Sequence, residues 1–103
     1  MNDARSCRTG FWRMTRGWVQ VEQVRHRGWP QKSVLLRIVG NGANAAETVV
    51  LGAHLDSING TSSTTRAPGA DDDASGVASL TEVIRVLMDR NFRPSRTIEF
   101  IAY

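Results

Sequence analysis

Apolar positions recur along this chain in two different periods, and the change of period divides it into elements. Residues 18–25 alternate, with Val19 and Val21 on one side, which predicts a strand. Gly28-Trp29-Pro30-Gln31 reads as a turn, because glycine and proline interrupt both regular periods. Residues 33–39 are aliphatic and β-branched; Val34, Leu36 and Ile38 fall on one face, Leu35, Arg37 and Val39 on the other. These two strands are expected to pair as an antiparallel hairpin. Asn41-Gly42-Ala43-Asn44 is a loop, and residues 47–53 follow as an apolar run without polar alternation. Such a run is the pattern of a strand buried on both faces. It is expected to be the most buried strand, paired with 33–39 or with 96–102.

A Gly/Ser/Thr-rich loop of about 15 residues follows His54, longer than a packed domain tolerates without a functional reason. The period then changes to that of a helix over 74–90. Val77, Leu80, Ile84, Leu87 and Met88 form its apolar stripe, with Val83 widening it. Asp73 is the expected N-cap and Asn91 the expected C′ residue, and Pro94 blocks continuation. Residues 96–102 return to a strand, with Ile98 and Phe100 on one face. This order predicts an α/β fold, a mixed β-sheet with the helix packed on one face. Residues 1–17 show neither period. The domain division is therefore an irregular basic lead-in over 1–18, with Phe11, Trp12 and Trp18 packing locally, and one domain over 19–103.

Charge sharpens this division. Residues 1–30 carry six arginines against Asp3 and Glu22, while residues 31–103 are close to neutral. A basic start can serve nucleic acid or an anionic membrane. No lysine block, RNA-binding signature or zinc-finger spacing accompanies these arginines, so a solvated leader is favoured and neither partner is expected. No apolar run approaches the ~18 residues of a membrane-spanning helix. The first 18 residues lack the apolar core of a signal peptide. A single cysteine, Cys7, excludes an intramolecular disulfide framework and a cysteine-rich zinc site.

Two short constellations carry chemistry. His54-Leu55-Asp56 stands at the C-terminal end of the apolar strand, where open α/β sheets place their ligand sites. Residues i and i+2 of an extended chain share a side, so His54 can bind a metal while Asp56 fixes the ring's tautomer. Taken alone, this tripeptide is better explained by a histidine making an ordinary hydrogen bond. The second is Gly69-Ala70-Asp71-Asp72-Asp73-Ala74-Ser75-Gly76. Three consecutive carboxylates repel one another, and a helix dipole offsets only part of that repulsion. A divalent cation offsets more. Asp73 is accounted for as a cap, which leaves Asp71 and Asp72 unexplained. A solvated acidic loop is the plainer alternative. A calcium loop is a rival, but the alternating acidic residues and distal Glu of an EF-hand are absent.

Together, Val-Val-Leu-Gly-Ala-His-Leu-Asp-Ser, the long loop and Ala-Pro-Gly-Ala-Asp-Asp-Asp-Ala-Ser-Gly resemble the zinc-dependent exopeptidases of the bacterial leucyl aminopeptidase type. The resemblance covers about residues 19–103 and extends to Gln31-Lys32-Ser33-Val34 and the closing Phe-Ile-Ala-Tyr. It implies the zinc-exopeptidase (phosphorylase/hydrolase-like) fold, two Zn2+ ions per complete site, and peptide or protein N-termini as substrate. It further implies that His54 is a terminal ligand of one zinc and that Asp72 bridges both. Asp56 becomes the catalytic-site carboxylate that orients His54, and the Asp72–Asp73 peptide is expected to be cis. Secretion or a periplasmic location goes with the family.

The family's complete site also needs a Glu-Glu pair shortly after the equivalent of Tyr103, then a later Asp and a later His. Glu82 belongs to the helix and Glu99 stands alone in the last strand, so neither substitutes. His26 lies in the first hairpin and is read as an ordinary turn-proximal residue. The chain is therefore expected to be an inactive part of a zinc aminopeptidase domain, weak in zinc binding and prone to associate through uncovered strand edges. The alternative is a non-catalytic remnant acting as a weak metal- or protein-binding module.

Overall fold

The computed structural model describes residues 13–61 and 66–103. Five strands form one sheet in the order β1-β2-β3-β5-β4, with one long helix. Strands β1 (Arg13–Arg16), β2 (Val19–Arg25) and β3 (Lys32–Ile38) make an antiparallel meander. β3 pairs antiparallel with β5 (Thr97–Ala102), and β5 pairs in parallel with β4 (Thr48–Ala53). Helix α1 (Ser75–Asp89) makes the crossover between β4 and β5 and packs against β4. The mixed α/β architecture is the one the periodicity predicted. It differs at 13–16, which form a strand where an irregular lead-in was expected. Gly17, at φ +59°, supplies the turn into β2. The packing expected of Phe11 and Trp12 lies outside the described residues; Trp18 stacks under the Arg93 guanidinium, 4.5 Å from the ring centroid.

The strand register decides where the core sits. Ile38 faces Val19 on β2 and Ile98 on β5, and Leu36 faces Val21 and Phe100. Leu51 and Ala53 of β4 meet Phe100 and Ala102 from the other side. Among the described residues, Ile38, Phe100 and Ala53 are the buried hydrophobic side chains, all on this one face. Behind it, Arg37 and Glu99 are direct cross-strand neighbours, and the Arg37 Nε donates to the Glu99 carboxylate over 2.6 Å. Buried Thr97 is satisfied twice: its hydroxyl donates to the Ala45 carbonyl (2.8 Å) and accepts from the Gly40 N–H (3.1 Å).

The expectation that 47–53 is the most buried strand is overturned. β4 pairs with β5, one of the two neighbours expected, yet it is the outermost strand. Its Val49 and Val50 are 47% and 56% exposed. An apolar run records what both faces of a strand are suited to meet, not what lies against them. Among the described residues, α1 covers one face of β4 and no strand pairs with its outer edge. The stripe of α1 is also narrower than predicted, because Val83 is 40% exposed.

The helix ends as its sequence dictates. Asn91 takes a left-handed φ of 47°, its N–H donates to the Met88 carbonyl, and the Phe92 N–H donates to Leu87. These two bonds make a Schellman motif with Asn91 at C′. Asn91→Ala is expected to cost ~1 kcal/mol, since alanine lacks the local polar contacts that let asparagine tolerate this region. Asn91→Gly should leave stability unchanged or raise it. Urea unfolding of the two variants beside the parent checks both signs.

Candidate metal site

His54 is the first residue beyond β4, and the backbone on both sides of it is pinned. The Tyr103 N–H donates to the Ala53 carbonyl (3.0 Å), and the Leu55 N–H donates to the Tyr103 carbonyl. The imidazole then lies between two acidic residues. Its Nδ1 donates to the backbone carbonyl of Asp56 over 2.9 Å, with the Asp56 carboxylate 3.3 Å away. Its Nε2 is 2.8 Å from Oδ1 of Asp72. Both acceptors favour a proton on the ring nitrogen that faces them. The hydrogen bond to Asp72, then the Asp56 carbonyl, accordingly raise the His54 pKa above its ordinary value of about 6.5.

Asp72 reaches the imidazole because the helix does not start as a regular α-turn. Residues Ala70–Ala74 form a wide turn, closed from the Ala74 N–H to the Gly69 carbonyl, in which Asp72 and Asp73 leave helical φ/ψ. The Asp72–Asp73 peptide is cis. The Asp72 side chain is 89% exposed, and only its Oδ1 meets another described residue. Asp73 was expected at the N-cap, but α1 begins at Ser75 and Ala74 holds that position; one residue earlier, Asp73 still makes a cap-type bond, its Oδ1 accepting the Gly76 N–H over 3.1 Å. Beside the His54–Asp72 pair opens a cavity of about 430 Å³, walled by Asp56, Ser57, Ile58, Pro68 and Tyr103.

The pair offers two donor types that a zinc site uses, an imidazole nitrogen and a carboxylate oxygen. Two ligand atoms about 2.0–2.1 Å from one zinc at a tetrahedral angle lie roughly 3.3 Å apart. The 2.8 Å between Nε2 and Oδ1 is within half an ångström of that. A neutral imidazole donating through Nδ1 leaves the Nε2 lone pair directed at Asp72, the tautomer a metal ligand needs. Among the described residues, no group of three or more His, Cys, Asp or Glu side chains is arranged to hold a metal ion. Glu82 and Glu99 are indeed elsewhere, ion-paired with Arg85 and Arg37. His26 is a hairpin residue whose Nε2 lies 2.7 Å from the Ser33 hydroxyl. Sequence reasoning missed one contact, the bond from the His54 N–H to Asp73 Oδ2 (3.1 Å). Nothing in the local pattern joins residues so far apart. It also placed Asp56 beside the ring through its carboxylate, whereas the backbone carbonyl is the nearer group.

Residues 33–103 match the sequence pattern of peptidase family M28. The chain is 46% identical over 88 residues to leucine aminopeptidase 1 of Aspergillus niger, covering 81% of the chain and 22% of that protein. It is 42% identical over 88 residues to leucine aminopeptidase 1 of Paracoccidioides brasiliensis, covering 82% and 22%. The fold is similar to the crystal structure of LapB from Legionella pneumophila, with a TM-score of 0.66 and 37% identity. That match covers 85% of this chain and 22% of LapB. The chain thus spans about a fifth of the length of the relatives it matches.

Proposed function

This chain belongs to peptidase family M28, and from that premise we propose that it supplies one side of a zinc aminopeptidase site. In this reading, His54 and Asp72 are metal ligands and Asp56 is the residue that positions the His54 ring. The substrates are peptide or protein N-termini. Peptidases of this family are generally zinc-dependent. The observation that carries the proposal is the convergence of His54 Nε2 and Asp72 Oδ1 to 2.8 Å, from elements that only the tertiary fold brings together.

Bound zinc supplies a Lewis acid that polarises a peptide carbonyl and lowers the pKa of water. The chain's own residues do the rest of what is visible. The Asp56 carbonyl holds the proton on Nδ1 and so leaves Nε2 as the ligand atom. Asp72, exposed and engaged through one oxygen, keeps its other oxygen available for a second ion. The narrower reading concerns this chain alone. By itself it is a weak metal-binding module without catalytic turnover.

The test is a titration of the 103-residue chain with Zn2+ at several pH values, beside His54→Ala and Asp72→Asn. A ligating His54 must lose its Nε2 proton, so affinity should rise with pH, about tenfold per unit below the His54 pKa. Because that pKa is raised, the rise should extend above pH ~6.5. The metal-free fold has the opposite sign. Protonated His54 stabilises it fully below the unfolded pKa, and that contribution is lost as pH rises through the folded one. Equal binding by parent and both variants at every pH would refute the assignment.

A further inference from the structure

We infer that Asp73 is a positioning residue, whose carboxylate sets the distance between the two proposed ligands. The inference rests on the metal-site reading above and adds a residue to it. In β4 and its extension, the Ala53 carbonyl and Leu55 N–H face β5 through Tyr103. Successive N–H groups of a strand point to opposite edges, so the His54 N–H points to the outer edge. No strand of the described residues pairs there. This donor is part-buried, and a backbone donor kept from water is costly unless something claims it. Asp73 Oδ2 accepts this N–H at 3.1 Å, while its Oδ1 accepts the Gly76 N–H at the same distance. One carboxylate thereby fastens the strand end that carries His54 to the helix start, and Asp73 is the next residue after Asp72.

A helix cap alone would need one acceptor, and serine or threonine would provide it. The second oxygen, spent on His54, is what a cap does not explain. Gly76 carries the same signature. A Cβ there would lie 2.1 Å from Asp73 Oδ1 and 2.7 Å from its Cγ. No side chain can occupy position 76 while the carboxylate is in place. Glycine in the first helical turn costs helix stability relative to alanine, a cost that the clamp accounts for.

Two variants separate clamp from cap. Asp73→Ser keeps a capping oxygen for Gly76 but is too short to reach His54. Gly76→Ala is a better helix former, yet its methyl group displaces the carboxylate. The 103-residue chain and both variants are compared by amide hydrogen exchange and by Co2+ titration followed by absorption, with His54→Ala as reference. In Asp73→Ser, the His54 amide should lose protection while the Gly76 amide keeps it. In Gly76→Ala, the His54 amide should lose protection while helical ellipticity does not fall. Both variants should bind Co2+ roughly 10–100-fold more weakly, the range for losing a group that supports a metal ligand. Unchanged His54 protection, or unchanged Co2+ affinity where the parent clearly exceeds His54→Ala, overturns the inference. If the parent binds Co2+ no better than His54→Ala, the metal-site reading fails. The clamp is then judged by exchange alone: loss of His54 protection in the variants upholds it, and retention refutes it. Should Asp73→Ser not fold, Gly76→Ala decides by the same readings.

Discussion

Given zinc and a leucine anilide, this chain is expected to hydrolyse the substrate no faster than its His54→Ala variant. A catalytic zinc is held by three protein ligands and keeps one position for water. The proposed site presents His54 and Asp72, and the described residues add no third side chain. Among the described residues, no carboxylate stands free beside the pair to serve as general base. Glu82 is ion-paired with Arg85 on the helix surface, and Glu99 is held by Arg37 behind the sheet. Asp56 lies beside His54, and Asp73 already accepts two backbone N–H groups. A positioned base alone is worth ~10²–10⁴-fold, and the ligand shortfall adds to that loss. The assay should include the oligomeric state, because Val49 and Val50 leave an apolar strand at the sheet edge. Zinc-dependent turnover by a soluble monomer, well above His54→Ala, would require catalytic groups outside those identified.

Ile38→Ala should be the most damaging single truncation of an aliphatic side chain. Ile38 is fully buried, with Val19 and Ile98 as its cross-strand neighbours. Truncating a buried isoleucine costs ~2–5 kcal/mol, through lost transfer energy and the cavity left behind. Phe100→Ala, on the same face, should cost ~3–5 kcal/mol. Whole domains are stable by only ~5–15 kcal/mol. Here Ile38, Phe100 and Ala53 are the buried apolar residues of the described chain, so stability should lie toward the lower end. Either variant is thus expected to be largely unfolded, or to melt far below the parent, by far-UV circular dichroism in urea. Ile58→Ala, at an 85% exposed position, is the control. If Ile38→Ala tracked that control, the core would lie elsewhere than the Ile38–Phe100 face.

Local elements were legible because their causes are local. Period-2 alternation marked β2, β3 and β5, and period 3.6 marked α1. Asn91 at C′ and the cap-type bond of Asp73 followed from backbone chemistry within one helical turn. β1 was not legible: Arg-Met-Thr-Arg has no apolar alternation, and its strand depends on the partner that Gly17 turns it toward. Glu99 had no visible partner in its own strand. Arg37, which pairs with it, is 62 residues away and adjacent only through the β3–β5 register.

The sequence by itself determined which groups are candidates for the metal site. An imidazole at a strand end and a carboxylate run before a helix are each ordinary alone, and they point to a cation only in combination. Tertiary structure alone decided how those groups meet. It set β4 at the sheet edge, because burial depends on what packs over a strand and not on the strand's own composition. It aimed Nε2 of His54 at Asp72 and gave the outward His54 N–H to Asp73, because β4 and α1 are brought side by side. Periodicity reports only the backbone's preferences over a few residues. Distances between groups 18 and 19 positions apart follow from strand pairing and helix packing.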